Sequence, residues 1–410
     1  MQLWDHYQAR YQVHLDISGI DIPQSLSFCI VIPSFNEPTL EDLLRSLAQI
    51  HQPECDFAVI VVLNHALNTT ETVKNHHTNQ QLKLEKLKSS LPYELIVLNA
   101  YDIPDVKAGV GYARKLGMDY AAYQLIKQNQ PKGLIVCLDA DCQVSDNYLI
   151  SLADVALQSP NSVSMALAHP FETLSEKHRS GIVHYELFLR YYLLALKFTG
   201  FPYCAYTIGS AMGVSAQLYV KSGGMNQRKA GEDFYFMNKL LPHGRHIFIS
   251  DTQVFPSPRI SERVPFGTGR SMKMWLEQNK DPGQTYSVWC FQQIKHVIDC
   301  FAENAYLPKQ FPKAPLVPIL RNYLIKRGAE TIIEQLKTQA KDVSARKKRF
   351  FQWFDAFLIM KCLNLLITQA EGSASVIDCL KEMLPDFPDT TKEEAEMILL
   401  WLREKEKGAN

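Results

Sequence analysis

Four short runs of almost unbroken apolar residues constrain this chain more than any other feature. They are "FCIVIP" (28–33), "FAVIVVL" (57–63), "ELIVLNA" (94–100) and "GLIVCL" (133–138). A strand with one face in water alternates apolar and polar residues. Runs without alternation are strands covered on both faces, as in parallel sheets. Helical periods separate them. "TLEDLLRSLAQI" (39–50) puts Leu40, Leu43, Leu44 and Leu47 on one face, and "VGYARKLGMDYAAYQLIKQ" (110–128) does so with Ala113, Leu116, Tyr120 and Ala121. Strand and helix in alternation predict an α/β fold, with a doubly wound, mostly parallel sheet flanked by helices. Ligands of such sheets bind beyond the carboxyl ends of the strands. Asn36-Glu37, Asn64 and Asp139-Asp141 all follow apolar runs there. The polar, lysine-rich stretch 68–90 reads as an exposed helix or excursion, with His76 and His77 solvated rather than metal-bound.

The pattern changes near residue 270. Strand-like runs cease, and "TYSVWCFQQIKHVIDCFAENAY", "VPILRNYLIKRGAETIIEQLKTQAKD" and "RFFQWFDAFLIMKCLNLLITQ" have the period of long amphipathic helices. Prolines 308, 312, 315 and 318 suggest an irregular connection, and Arg346-Lys347-Lys348-Arg349 a solvated helix start. We therefore expect a domain over 1–270 and a C-terminal α-helical domain over 271–410. The latter is a candidate for shaping a binding site or for forming a homo-oligomer.

Lysine plus arginine equals aspartate plus glutamate, 43 each, which speaks against a nucleic-acid partner. The nine cysteines are odd in number and lack a C-x-x-C pair, which fits reduced, buried thiols rather than disulfides or a zinc site. "MQLWDHYQARYQV" has no apolar core of signal-peptide length, and Lys197 and Pro202 interrupt the greasiest stretch. The expectation is a cytoplasmic protein, compatible with peripheral attachment to a membrane.

The fourth run drives into two aspartates: "LIVCLDADCQVS" (134–145). Asp139 and Asp141 are either ordinary turn residues or a pair gripping one cation. Residues i and i+2 can face the same way, and a divalent ion offsets their repulsion.

Three further motifs accompany "CLDADC" (137–142): "VIPSFNEP" (31–38), "GVGYARKLG" (109–117) and "GSAMGVSAQLYVKSGGMNQRKAGEDFYFMNKLLPHG" (209–244). In this order they resemble the donor and acceptor halves of family 2 glycosyltransferases, over roughly residues 27–270. The resemblance implies a GT-A fold and hexosyl-like transfer from a nucleotide-sugar donor to an acceptor hydroxyl, with inversion. The acceptor class, whether saccharide, lipid-linked or small molecule, stays open. By resemblance, Pro33, Asn36, Glu37, Asn64, Arg114 and Asp139 bind donor. Asp139 and Asp141 hold a divalent metal, Mn²⁺ or Mg²⁺, on its diphosphate. Asp233 is the general base, and Glu232 orients it or the acceptor. Arg259 and Arg263 are donor-binding candidates on their own chemistry, since arginine forks suit a diphosphate or an acidic acceptor. Arg259, Arg263 and Arg270 lie in "VFPSPRISERVPFGTGR" (254–270), whose composition suits a closing loop.

Three positions depart from the family pattern. Lys115 stands where Asn is common, and Asn64 where an aspartate often contacts the base. "VFPSPR" lacks the histidine that often supplies a third metal ligand; His169, His243 and His246 lie elsewhere. The nearest rival is a retaining GT-A enzyme acting on a small acceptor. A sugar nucleotidyltransferase would open with a G-x-G-T-R-like loop, which "IPSFNEP" is not. An inactive carbohydrate-binding relative would not need Asp139, Asp141, Glu232 and Asp233 together.

Overall fold

A computed structural model describes the chain except residues 12–24, 228–230, 261–266, 279–280, 303–315, 340–341, 390–393 and 408–410, and the side chain of Lys337. In chain order the elements are α1 (Gln2–Tyr11), β1 (Phe28–Ser34), α2 (Leu40–Gln49), β2 (Phe57–Ala66), α3 (Glu71–Leu87), β3 (Glu94–Ile103), α4 (Val110–Lys127), β4 (Leu134–Cys137), β5 (Gln143–Val144), α5 (Tyr148–Leu157), β6 (Ser162–Leu167), α6 (Glu176–Phe198), β7 (Met212–Ser215), α7 (Ala216–Lys221), α8 (Glu232–Leu240), β8 (His246–Phe255), α9 (Thr268–Gln278), β9 (Gln284–Tyr286), α10 (Val288–Ala302), α11 (Pro318–Lys326), α12 (Ala329–Gln339), α13 (Val343–Trp353), α14 (Ala356–Leu366), β10 (Ser373–Ser375), α15 (Val376–Met383) and α16 (Ala395–Lys407). They form two compact units. One comprises Met1–Thr173, Ala205–Arg270 and Arg403–Asn410; the other comprises Leu174–Cys204 and Ser271–Leu402.

The first unit is built on one sheet in the order β3-β2-β1-β4-β7-β6-β8-β5. Parallel pairing joins β1 to β2, β2 to β3, β1 to β4 and β6 to β8, four of the seven pairings. The other three are antiparallel. This is the mostly parallel, helix-flanked α/β sheet of a GT-A-like fold. The chain builds outward from β1 through β2 and β3, then returns to lay β4 on the other side of β1. The carboxyl ends of β1 and β4 therefore border the crevice where strand order reverses, the position at which such sheets take ligands.

Three of the apolar runs, in β1, β2 and β4, behave as their lack of alternation requires; the run 94–100 lies in the edge strand β3, where Glu94 and Val97 are half-buried and Asn99 is exposed. Every residue of β1 and β4 is buried. Phe28 stacks on Phe57 with ring centroids 5.0 Å apart. The α2 leucines Leu40, Leu43, Leu44 and Leu47 are all buried in the same core, each contributing about 1.5–3 kcal/mol by leaving water. On α4, a Cβ added at Gly117 would fall 2.5 Å from Val31 Cγ1, so the helix backbone lies directly on the strands.

Residues 68–90 hold the expected helix, but one of its faces is covered. α3 buries His77, Gln80, Leu84 and Leu87, a helical face half made of polar residues. Apolar periodicity cannot reveal such a face.

The second unit is mainly helical, with α6 grouped with the C-terminal helices. Strands do not cease after residue 270: β9 and β10 pair antiparallel, Ser373 opposite Tyr286, in pieces of three residues. The stretch 349–369 holds the end of one helix and a second one. α13 stops at Trp353, and Asp355 starts α14 by accepting the Leu358 N–H at 2.8 Å. Phe350 stacks on Phe301 (4.0 Å) and Phe354 (5.5 Å) in the core below. Pro318 opens α11, where its missing N–H costs nothing; prolines 308, 312 and 315 lie outside the described residues. All nine cysteines are free. Among the described residues no helix is long and apolar enough to cross a membrane.

Candidate active site

At the carboxyl end of β1 the chain turns through Phe35, Asn36 and Glu37. Asn36 has φ +47°, the left-handed region that asparagine tolerates better than most residues. Its exposed side chain contrasts with Glu37, which is 1 % exposed. Thr39 Oγ1 donates to Glu37 Oε1 at 2.9 Å. Pro33 lies one step earlier, inside β1 and opposite Val62, so it belongs to the sheet rather than the turn.

Asp139 and Asp141 follow β4, and each carboxylate has its own arginine. Arg114, in the second turn of α4, donates Nη2 to Asp139 Oδ1 and Nη1 to Glu232 Oε1. Arg259, four residues past β8, donates Nη1 to Glu37 Oε1 at 3.0 Å and Nη2 to Glu37 Oε2. The same Nη2 lies 2.9 Å from Asp141 Oδ2. The two aspartates of one turn are thereby tied to different motifs, Asp139 to the start of α8 and Asp141 to the β1 turn. Arg114 is only 3 % exposed. Burial works against its charge, but Asp139, Glu232 and Asp233 outweigh it and hold the guanidinium protonated. It is not a solvated helix charge.

Burial pushes the Asp141 carboxyl up to about 6, and Asp139 and Glu37 add to this while Arg259 opposes it. Burial also raises Glu232 and Asp233, against the pull of Arg114. Glu232 and Asp233 open α8, after Gly231 at φ +69°. Both Asp233 oxygens accept backbone amides, Oδ2 from Gly209 at 3.0 Å and Oδ1 from Phe234 at 2.8 Å. Its carboxylate is thus held by two backbone amides and feels the Arg114 charge, whereas Glu232 accepts directly from Arg114.

The donor chemistry at the β4 turn suits a divalent cation. Asp139 and Asp141 offer hard oxygens and keep 35 % and 26 % of their side chains exposed. Mg²⁺-like ions are commonly held by one or two carboxylates, with substrate phosphates and water completing the shell. No group of three or more His, Cys, Asp or Glu among the described residues could hold a metal alone. His246 is held by Ser162 and Ser164, each at 3.0 Å, and His169 Nε2 lies 3.2 Å from Thr268 Oγ1.

The crevice thus gathers Asn36, Glu37, Arg114, Asp139, Asp141, Glu232, Asp233 and Arg259. Asn64 is buried inside β2 rather than at its end, because that strand continues to Ala66. Arg263 lies outside the described residues, and Arg270 sits in α9. Sequence reasoning missed His77 and Gln80. His77 Nε2 accepts the Asn36 N–H at 2.9 Å, and Gln80 Nε2 donates to the Glu37 carbonyl at 2.8 Å. Their three-residue spacing on a helix was the available signal.

The family model of glycosyl transferase family 2 matches residues 29–219, from β1 through α7. Residues 29–219 are a glycosyl transferase family 2 domain. The family 2 domain thus carries the β1 turn, Arg114 and both aspartates, and its match ends before Glu232. Similar solved structures include S. aureus TarS 1-349 in complex with UDP-GlcNAc, at 14 % identity and TM-score 0.40, covering 93 % of this chain and 89 % of that one. Another is the mannosyltransferase PcManGT from Pyrobaculum calidifontis in complex with GDP-Man and Mn²⁺, at 14 % identity and TM-score 0.37, covering 90 % and 95 %. No curated protein sequence matches the chain.

Proposed function

We propose that this protein transfers a sugar from a nucleotide-sugar donor to an acceptor hydroxyl, with inversion at the anomeric carbon. The observation that carries the reading is the Arg114 bridge, which ties Asp139 of the donor-side turn to Glu232 at the start of α8. Donor and acceptor motifs far apart in sequence meet in one crevice, at the switch point of a family 2 domain. In this reading the unit containing that sheet is the catalytic one.

Asp139 and Asp141 would hold a divalent cation, Mn²⁺ or Mg²⁺. When bound it supplies charge stabilisation for the departing diphosphate. Arg259, already beside Asp141 and Glu37, reaches the same charge as a two-pronged donor. Glu37 and Asn36 line the nucleoside side. Asp233 takes the proton of the acceptor hydroxyl as its oxygen attacks the anomeric carbon. The new C–O bond forms as the old bond to phosphate breaks, and its electron pair leaves with the nucleoside diphosphate. A buried carboxylate with a raised pKa is a stronger base once ionised, which suits this role. Glu232 acts through Arg114, keeping the two motifs in register.

A thermal-shift screen of UDP-, GDP-, dTDP- and CDP-sugars, with and without Mn²⁺, tests the reading, because a ligand of the folded state raises its stability. A stabilising donor should then be consumed with release of its nucleoside diphosphate. The anomeric configuration of the product, read by NMR, should be opposite to that of the donor. Retention would replace the single displacement with the rival mechanism, and no stabilisation by any donor would overturn the donor site.

A further inference from the structure

α3 lies outside every motif discussed above, yet it grips the donor turn at two successive residues. His77 accepts the N–H of Asn36, and Gln80, one helical turn later, donates to the carbonyl of Glu37. Both side chains are buried. Between these contacts lies the residue with φ +47° and the carboxylate that holds Arg259. Backbone in the left-handed region persists where its surroundings hold it.

The histidine does not act alone. An N–H donor faces His77 Nε2, so that nitrogen carries no proton and the neutral ring is protonated on Nδ1. His77 Nδ1 lies 3.0 Å from His65 Nδ1, which must then accept. The His65 proton therefore sits on Nε2, which faces Asp102 Oδ1 at 3.5 Å. One polarity runs from Asp102 through two buried rings to the backbone of the donor turn. Tyr101 covers both rings, stacked on His65 at 4.6 Å and on His77 at 6.0 Å. Burial, then His65 and His76, push the His77 pKa down to about 4. At neutral pH its Nε2 stays an acceptor.

We propose that His77 and Gln80 are positioning residues for the nucleotide site, with the His65–Asp102 pair fixing the tautomer in which His77 can hold Asn36. They touch no substrate. They set the conformation of the turn that presents Asn36 and Glu37 to the nucleoside, so the proposal rests on the donor-site reading above for its functional consequence.

The test uses the full chain and four proteins: parent, His77→Leu, His77→Gln and Gln80→Leu. Glutamine can place Oε1 near the position of Nε2 and accept the same N–H; leucine cannot. Hydrogen exchange of the peptide covering 34–38 reads the grip directly. Calorimetry with UDP and with GDP, each with Mn²⁺, reads the consequence. We expect His77→Leu and Gln80→Leu to lose protection at 34–38 and to weaken the bound nucleotide by about tenfold, the scale of one hydrogen bond. His77→Gln should restore both readouts, which a loss of packing alone would not allow. Parental exchange at 34–38 in both leucine variants would overturn the proposal, as would equal loss in His77→Leu and His77→Gln. Altered exchange with unchanged nucleotide affinity would overturn its functional half. If the parent binds neither nucleotide, the donor-site reading fails for these two bases, and the exchange data still decide whether α3 holds the turn.

Discussion

The guanidinium of Arg114 sits directly over Gly209. A Cβ on that glycine would fall 2.5 Å from Cζ, Nη1 and Nη2 alike. Gly209 is needed here for space rather than for an unusual backbone angle, and its N–H also anchors Asp233. One residue without a side chain thereby lets the buried arginine reach Asp139 and Glu232 while holding the neighbouring carboxylate.

The consequence is tested by Gly209→Ala. The methyl group must push Arg114 aside, and a buried guanidinium pinned by two carboxylates has little room to go. We expect a folded protein whose affinity for UDP or GDP with Mn²⁺ falls about tenfold. Arg114→Lys should do the same, because an ammonium cannot reproduce a fork spanning two carboxylates. Calorimetry checks both. Parental affinity in Gly209→Ala would mean that Arg114 can move without disturbing the nucleotide site.

Much of this arrangement was legible in the sequence, for physical reasons. Short, nearly unbroken apolar runs bounded by turns read as strands of a covered sheet, so the sheet and the position of Asp139 and Asp141 at its carboxyl edge followed. The pairing of those aspartates with different arginines did not. Arg114 lies 25 residues from Asp139 and 118 from Glu232, and spacing carries no information about contacts of that separation. The covered face of α3 was not legible because it includes His77 and Gln80, which count as polar in any periodicity. The short ribbon of β9 and β10 was missed because three residues are too few to show a period of two.

A second prediction concerns the two cations that want Asp141. Arg259 pairs with both Asp141 and Glu37. A divalent ion at the aspartate turn must share or displace that contact. Arg259→Met should therefore bind Mn²⁺ more tightly in the absence of nucleotide, by about tenfold at about pH 7.5, where Asp141 is ionised. The same variant should bind UDP or GDP more weakly without metal, having lost a phosphate donor. Mn²⁺ titration followed by electron paramagnetic resonance measures the first effect. Weaker Mn²⁺ binding in the variant would make Arg259 a support for the metal site rather than its competitor.

Acid stability supplies a third. Burial lowers the His246 pKa to about 4, against about 6.5 for a free histidine side chain. Between these values the unfolded chain holds a proton that the folded ring refuses, so stability rises with pH across the window and is lost as pH falls. Each unit inside it is worth about 1.4 kcal/mol. On going from about pH 7 to about pH 5, parent protein should lose about 2 kcal/mol more than His246→Gln, in which Ser162 and Ser164 face a group that does not titrate. Chemical denaturation at the two pH values gives the difference. Equal losses would place the acid-sensitive group elsewhere.

The last prediction separates the two carboxylates at the start of α8. Asp233→Asn retains shape but cannot take a full proton, so transfer should fall by ~10²-fold or more. The substitution also leaves one of two backbone amides without its acceptor, since the side-chain nitrogen cannot accept from Gly209 or Phe234. A modest loss of stability should accompany the kinetic defect, and donor affinity should stay within a few-fold of parental. Glu232→Gln acts on a different link. It weakens one arm of the Arg114 bridge, so its main effect should be on nucleotide affinity, with the proton-transfer step left intact. Single-turnover rates at saturating donor, set beside calorimetric affinities, distinguish the two. If Asp233→Asn turned over near the parental rate, Asp233 would not be the base. If instead its dominant loss were nucleotide affinity, the division of labour between a donor-side bridge and an acceptor-side carboxylate would be wrong, and both residues would belong to the nucleotide pocket.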